Sequence, residues 1–274
     1  MISNLQINIF RKASKTYYYS SLFFPKDVKD DIFILYSFVR TADDLVDTLP
    51  QNKLAFNQFV EDYKKAIRTR KSRDIILDSF VKMVIRRKIN KLWINSFLKA
   101  MAADLATKKY ITLKQTEQYI YGSADVIGLM IAKILDLPKE SYPYAKLLGK
   151  SMQLSNFIRD IEEDNALGRC YFPQTDLRKF KLKSLDQKET SKNDIQFIKF
   201  IRFQIRRYFK WQRQAEIGFK FIPRKYRIAI MTASDMYKKT QEIIYKDPFV
   251  IYQKKVKPTK IKVIARGLYN YFSA

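Results

Sequence analysis

YSFVRTADDLVD, residues 36–47, places Tyr36, Arg40, Asp43 and Asp47 at offsets of four, three and four, so all four share one helical stripe with Asp44 at its edge. Apolar residues recur around it at threes and fours (Val28, Ile32, Leu35, Val39, Leu45), which predicts an amphipathic helix from about Asp27 to Leu49. Pro25 stands ahead of that helix and Pro50 ends it. Carboxylates four apart on a helix repel each other, so the stripe needs a partner. A divalent cation is one such partner, because Mg²⁺ takes a few carboxylate oxygens and leaves its other positions to water or phosphate.

A second stretch, QLSNFIRDIEED at residues 153–164, repeats the grammar. Gln153, Asn156, Asp160 and Asp164 fall on one stripe at offsets of three, four and four; Arg159 and Glu163 lie beside it. Leu154, Phe157, Ile158 and Ile161 give the same helix a core-forming side. Read from spacing alone, each stripe is either half of a metal site or a solvated face held by ion pairs. Two of them with one pattern point to helices facing each other across a cavity.

Working outward, helical periodicity continues through 52–70, 74–90, 92–106, 112–137, 142–166, 191–221, 223–246 and 258–272, about nine helices in all. No useful strand alternation competes, and only 6 Gly and 8 Pro punctuate the chain. The fold class is therefore all-α. Without a composition shift or an internal repeat, residues 1–274 read as a single helical domain. The one long interruption, Gly168 to Thr190, reads as a connection that can serve as an active-site flap.

Composition narrows the chemistry. With no His, serine and cysteine triads and the usual zinc sites are excluded; one Cys, Cys170, excludes an intramolecular disulfide and fits a reducing, cytoplasmic setting. Carboxylate, Arg, Lys, Tyr and hydroxyl remain, a kit for hard cations and phosphates. A hydrophobic content of 47% is enough for a large core, and a formal charge of +26 draws anions. Met1 to Arg11 lacks the apolar stretch of a signal peptide, and no uncharged run reaches the roughly 18–20 residues of a membrane span. A soluble protein, at most peripheral to the cytoplasmic membrane, is expected.

Longer segments resemble one known family. Residues 14–47, SKTYYYSSLFFPKDVKDDIFILYSFVRTADDLVD, look like the opening of the squalene/phytoene synthases. LGKSMQLSNFIRDIEEDNALGRCYFP at 148–173 looks like their second aspartate-rich region, YIYGSADVIGLM at 119–130 is similar to their central helix, and PFVIYQKKVKPTKIKVIARG at 248–267 resembles their basic C-terminal segment. The resemblance implies an isoprenoid-synthase fold with a central cavity and a head-to-head (1′–1) condensation of two prenyl diphosphates through a cyclopropyl diphosphate. It implies Mg²⁺, with Mn²⁺ as a substitute, on Asp43, Asp47, Asn156, Asp160 and Asp164. It assigns diphosphate contacts to Ser14, Thr16, Arg40, Gln153, Asn156, Arg159 and Tyr171, and turns Tyr36 and Tyr121 toward the reacting centre. Lys254, Lys255 and Lys257 rank below these.

Simpler roles stand beside each: helix caps for Ser14 and Thr16, core packing for the tyrosines, a solvated face for the lysines. Where many relatives have a small residue the chain has Asp125, a candidate metal or water ligand; Gly128 keeps its place and would let a substrate chain pass close to the backbone. NFIRDIEED and GRCYFP favour two C20 diphosphates giving phytoene. The alternative is a C30 product (squalene, dehydrosqualene or presqualene diphosphate), with NADPH needed only for squalene. Chain length would be set by cavity depth around side chains such as Phe23, Phe24 and Leu129. From another class, a non-enzymatic RNA- or membrane-binding protein is supported by the charge and by IRFQIRRYFKWQRQ, although Ile201, Ile205, Phe209 and Trp211 within it are spaced to face a core, so no nucleic acid is expected.

Overall fold

The computed structural model describes residues 2–48 and 50–273; Met1, Ala274 and Leu49, the last residue of the first helix expected above, lie outside the described residues. Among the described residues the chain forms α1 Asn4–Ala13, α2 Lys15–Ser21, α3 Lys26–Asp47, α4 Lys53–Thr69, α5 Ile75–Arg87, α6 Lys91–Asp104, α7 Leu113–Ile120, α8 Val126–Ile134 and α9 Tyr142–Arg159. There follow α10 Ile161–Ala166, α11 Gln174–Lys179, α12 Gln187–Lys192, α13 Asp194–Glu216, α14 Arg224–Lys246, α15 Val250–Gln253 and α16 Lys260–Ser273. The all-α class holds, with more and shorter helices than the periodicity gave.

Three differences matter. First, the N-terminal segment, for which no helix was expected, folds as α1 and α2; Ser3 forms a capping box with Gln6, and the Ser14 hydroxyl accepts the Tyr17 N–H to start α2. Second, the helix expected over 112–137 is divided by a π-helical turn, Tyr121–Asp125, and that over 142–166 breaks at Asp160, whose φ of −102° and ψ of 19° are not helical. Third, Gly168 to Thr190 is not a free flap. It holds β2, Cys170–Pro173, paired in parallel with β1, Lys109–Tyr110, and then α11 and α12. Gly168 takes φ +69°, the left-handed turn that glycine adopts without strain, and sends the chain from α10 back toward α3.

α3 has two working faces. Phe38, Ala42 and Val46 are fully buried against α4, α5 and α6, where Phe38 stacks on Phe80 at 3.7 Å and 3° beside Tyr63 and Phe97. The Tyr36–Asp47 stripe is left for the opposite side. α9 is fixed by a buried polar ladder: the Ser151 hydroxyl donates to Gln212 Oε1 (2.8 Å), Gln212 Nε2 to Ser234 (2.6 Å), and Gln241 Nε2 to Ser155 (2.7 Å). Directional bonds of this kind set a rotation that apolar contact alone leaves loose.

α9 also crosses the π turn and α8 at very short range. A Cβ on Gly149 would lie 2.4 Å from the Ala124 carbonyl oxygen, and one on Gly128 2.2 Å from that of Ala145. Gly128 thus lets α9 approach, and it also lines the cavity. Gly149→Ala must push two backbones apart; it should lower stability by about 1–3 kcal/mol, read as a shift of the urea midpoint at unchanged slope.

Candidate active site

α2, α3, α6, the π turn with α8, α9, α10 and α14 enclose one cavity of about 590 Å³. One end is acidic and basic, lined by Arg40, Asp43, Asp47, Asp104, Arg159, Asp160, Glu163, Asp164, Arg169, Lys255 and Lys257. The rest is mostly apolar, through Ile127, Ile131, Leu135, Leu148 and Ile230 with Phe24, Tyr144 and Phe219 among them. The two acidic stripes therefore open onto the same space, one from α3 and one from α9 and α10.

Internal cations meet these carboxylates. Arg40 binds Asp43 at 2.7 Å and also Asp44. Arg159 donates to Asp160 at 2.8 and 2.5 Å, and Lys255 bridges Asp160 (3.3 Å) and Glu163 (2.6 Å). Arg169, only 3% exposed, reaches Asp47 and the Val46 carbonyl, each at 2.6 Å. Behind them Asp104 accepts from Tyr119 (2.7 Å) and Tyr171 (2.9 Å), whose ring stacks on Phe157 at 4.4 Å and 6°. On the α14 side Tyr237 donates to Asn156 Oδ1, and Asn156 Nδ2 to Gln153 Oε1, both at 3.2 Å.

The acids do not share one state. Burial, then Asp47, pushes Asp43 up to about 8, against the pull of Arg40. Burial, then Asp160 and Asp47, drives Asp164 well above the carboxylate range. Asp104 rises to about 6 through burial, opposed by its tyrosine donors. Burial acts on Asp160 too, but Arg159 and Lys255 overcome it and hold that carboxyl low. Lys257 is lowered by burial and by Lys255 and Arg159.

Do these groups fit a hard divalent cation? Among the described residues no three acidic side chains already converge as a closed cage. The donors are carboxylate and amide oxygens on facing walls, and two carboxyls are raised by burial and their acidic neighbours, which is the repulsion a cation relieves. Mg²⁺ or Mn²⁺ completed by water and phosphate suits such an open set, with Asp43, Asp47, Asn156, Asp160 and Asp164 as donors.

Of the residues singled out in the sequence, Ser14, Thr16, Tyr36, Arg40, Asp43, Asp47, Gln153, Asn156, Arg159, Asp160, Asp164 and Tyr171 all line the cavity. Ser14 caps α2 as well. Tyr121 does not reach it: the side chain is 39% exposed, while Tyr119, two residues or about 200° earlier on the helix, is buried in the wall. Asp125 is buried outside the lining, its Oδ1 without a partner, and Lys150 and Lys146 are the nearest opposing charges. Phe24 lines the cavity; Phe23 packs on Gly267 instead, and Leu129 points into the core. Lys255 and Lys257 reach the mouth, Lys254 does not.

Spacing missed Asp104, Tyr119, Arg169 and Tyr237. Arg169 carried a usable signal, since residues two apart on an extended segment share a side and Tyr171 was already a candidate. Asp104 carried none, being a single acid at a helix end.

A profile described as squalene/phytoene synthase matches residues 10–262. A 15-cis-phytoene synthase of a Synechocystis species is 26% identical over 92% of this chain and 79% of its own, and a 4,4′-diapophytoene synthase of Staphylococcus haemolyticus is 27% identical over 71% and 70%. Among solved structures, a ligand-bound dehydrosqualene synthase superposes with a TM-score of 0.85 over 98% of this chain and 96% of its own at 22% identity, which establishes the shared fold. With that profile spanning nearly its whole length, the chain belongs to the squalene/phytoene synthase family.

Proposed function

We propose that this chain condenses two prenyl diphosphates head to head, with two C20 geranylgeranyl diphosphates giving phytoene as the first reading. The observation that carries it is that one cavity of about 590 Å³ joins a charged cluster built from two acidic stripes to a mostly apolar remainder. That is the shape of a substrate with an anionic head and a hydrocarbon tail.

Divalent metal, when bound between Asp43, Asp47, Asn156, Asp160 and Asp164, would supply Lewis-acid pull on phosphoryl oxygen. The chain's own residues do the remainder. Arg40 and Arg159 present planar forks to a diphosphate, with Lys255 and Lys257 adding charge at the mouth. Loss of diphosphate from one substrate leaves an allylic cation; the double bond of the other attacks its C1, a proton leaves, and a cyclopropyl diphosphate results. Loss of the second diphosphate, rearrangement and loss of a second proton give the hydrocarbon. Aromatic faces are placed along the way, Tyr36 stacked on Phe10 at 3.8 Å and Tyr119 beside Tyr171 at 4.9 Å, and π faces favour cations. Their hydroxyls stay neutral because burial raises all three tyrosines. The aliphatic wall keeps water from the cation.

A C30 product is the second reading, favoured by the relatives named for 4,4′-diapophytoene and dehydrosqualene. Incubating purified protein with Mg²⁺ and C15 or C20 diphosphate, with and without NADPH, separates the two. Phytoene from C20 substrate without reductant is expected, and a C15-only enzyme would overturn the first reading. Asp43→Ala should abolish diphosphate release. Salt-sensitive RNA binding by a chain that turns over neither substrate, and is indifferent to Asp43→Ala, would instead revive the non-enzymatic alternative.

Two further outcomes follow from the same groups. Tyr119→Phe should lower turnover at least tenfold while Tyr121→Phe stays within about twofold, a contrast that steady-state kinetics on both variants measures. The second concerns pH. A carboxyl raised to about 8 binds its proton more tightly folded than unfolded, so in chelator its contribution is present at pH 4 and is lost as pH rises through 8. Mg²⁺ competes with that proton, so the thermal stabilisation by Mg²⁺ should grow between pH 6 and 8, and Asp43→Asn should flatten the dependence in differential scanning fluorimetry.

A further inference from the structure

The C-terminal helix α16 has two apolar sides. Val263, Gly267 and Asn270 are buried against α2 and α14, with Gly267 so close to Phe23 that a Cβ would lie 2.1 Å from the ring. On the opposite side Ile261, Ala265, Leu268 and Phe272 follow at offsets of four, three and four, flanked by Tyr269 and Tyr271, and all six are exposed. Ile261 is 77% and Phe272 81% exposed. A surface helix held by one buried stripe has no folding use for a second stripe turned to water.

The surroundings favour one occupant. α16 contains no Asp or Glu, while Lys260, Lys262 and Arg266 lie along it; Arg266 is engaged by Asp235, and Lys260 sits over the Tyr19 ring. An apolar stripe with lysines at its margins and tyrosines beside it matches the layered polarity of an anionic bilayer surface. A second copy of the chain would bring two acid-free, positively charged helices together, which opposes pairing. Moreover, the strap leading into α16 carries Lys255 and Lys257, which line the cavity mouth.

We propose that α16 lies in the headgroup layer of an anionic lipid membrane through Ile261, Leu268 and Phe272. Among the described residues no helix is long and apolar enough to cross a membrane, so this is attachment to one face. Because Lys255 and Lys257 of the cavity lining stand only five and three residues before Lys260, docking of α16 would hold that part of the cavity near the bilayer, where long isoprenoid diphosphates partition. That last consequence alone rests on the function proposed above.

The test is co-sedimentation with phosphatidylcholine vesicles, with and without roughly a third of phosphatidylglycerol. Wild type should bind the anionic vesicles and lose binding at high salt. Leu268→Ser/Phe272→Ser should reduce partitioning about tenfold or more, and Lys260→Gln/Lys262→Gln should reduce it on anionic vesicles only. All these side chains are exposed, so melting temperatures should match wild type; Ile261→Ser gives an independent check. Asp43→Ala should bind vesicles normally, which separates failure of docking from failure of the catalytic reading. Unchanged partitioning in the double serine variant overturns the proposal. So does a concentration-dependent dimer in sedimentation velocity that the same variant dissolves.

Discussion

Carboxylates confronting one another over an apolar cavity are what this fold has to manage. Asp43 and Asp47 project from α3, Asp160 from the break between α9 and α10 and Asp164 from α10 itself, and Asp104 at the end of α6 joins them in the lining. Left uncompensated in low dielectric, such charges would force the walls apart or take up protons. The chain answers with Arg40 and Arg159, which pair with acids of their own segments, and with Arg169 and Lys255, which reach Asp47 and Asp160/Glu163 from elsewhere in the chain. Arg169 is the most committed of these, since its guanidinium also satisfies the Val46 carbonyl and contacts the Tyr171 hydroxyl. A lysine there could not reach all three in one plane.

Everything behind the walls serves to hold them at that spacing. α3 is clamped by an aromatic cluster on the side away from the cavity, and aromatic stacking fixes both depth and rotation. α9 is clamped by hydrogen bonds, because it faces α13 and α14 through Ser151, Ser155, Gln212 and Gln241. The near contact of Gly149 with Ala124 draws α9 onto the π turn and so carries Tyr119 toward Asp104. The small sheet of β1 and β2 adds little stability by itself, but its pairing turns Tyr171 inward and Arg169 toward α3.

The two acidic stripes were legible because a helix repeats every 3.6 residues and both motifs are long enough for the period to show. For the same reason the core side of α13 was legible: Ile201 and Ile205 are fully buried within a basic helix, and Phe209 and Trp211 pack at its edge. What failed were places where the period itself breaks. The π turn at Tyr121–Asp125 is a matter of tertiary fit, and a central tyrosine chosen by resemblance landed two residues from the one the cavity holds. The helix break at Asp160 follows from no local proline or glycine. Asp104 becomes a site residue only through contacts with Tyr119 and Tyr171, 15 and 67 positions away in sequence, which no local pattern encodes.

The ion pairs also bear on how an anionic substrate can enter without a large electrostatic cost. On the function proposed above, a diphosphate arriving with divalent cations would bring positive charge for Asp43, Asp47, Asp160 and Asp164, and phosphoryl oxygens for Arg40, Arg159 and Lys255. Were both bound, partners would be exchanged: Asp43, Asp47, Asp160 and Asp164 would hold the cation, while Arg40, Arg159 and Lys255, released from those acids, would hold phosphoryl oxygens. In an apolar cavity that matters, because an isolated charge is costly there while an exchange between satisfied pairs is not. Lys255 is suited to lead the exchange, since it is a flexible point charge on the strap between α15 and α16 and sits on two acids at the mouth. Arg169, walled in by Asp47, Tyr171 and the Val46 carbonyl, would stay in place and keep α3 registered against β2 while the other pairs change hands.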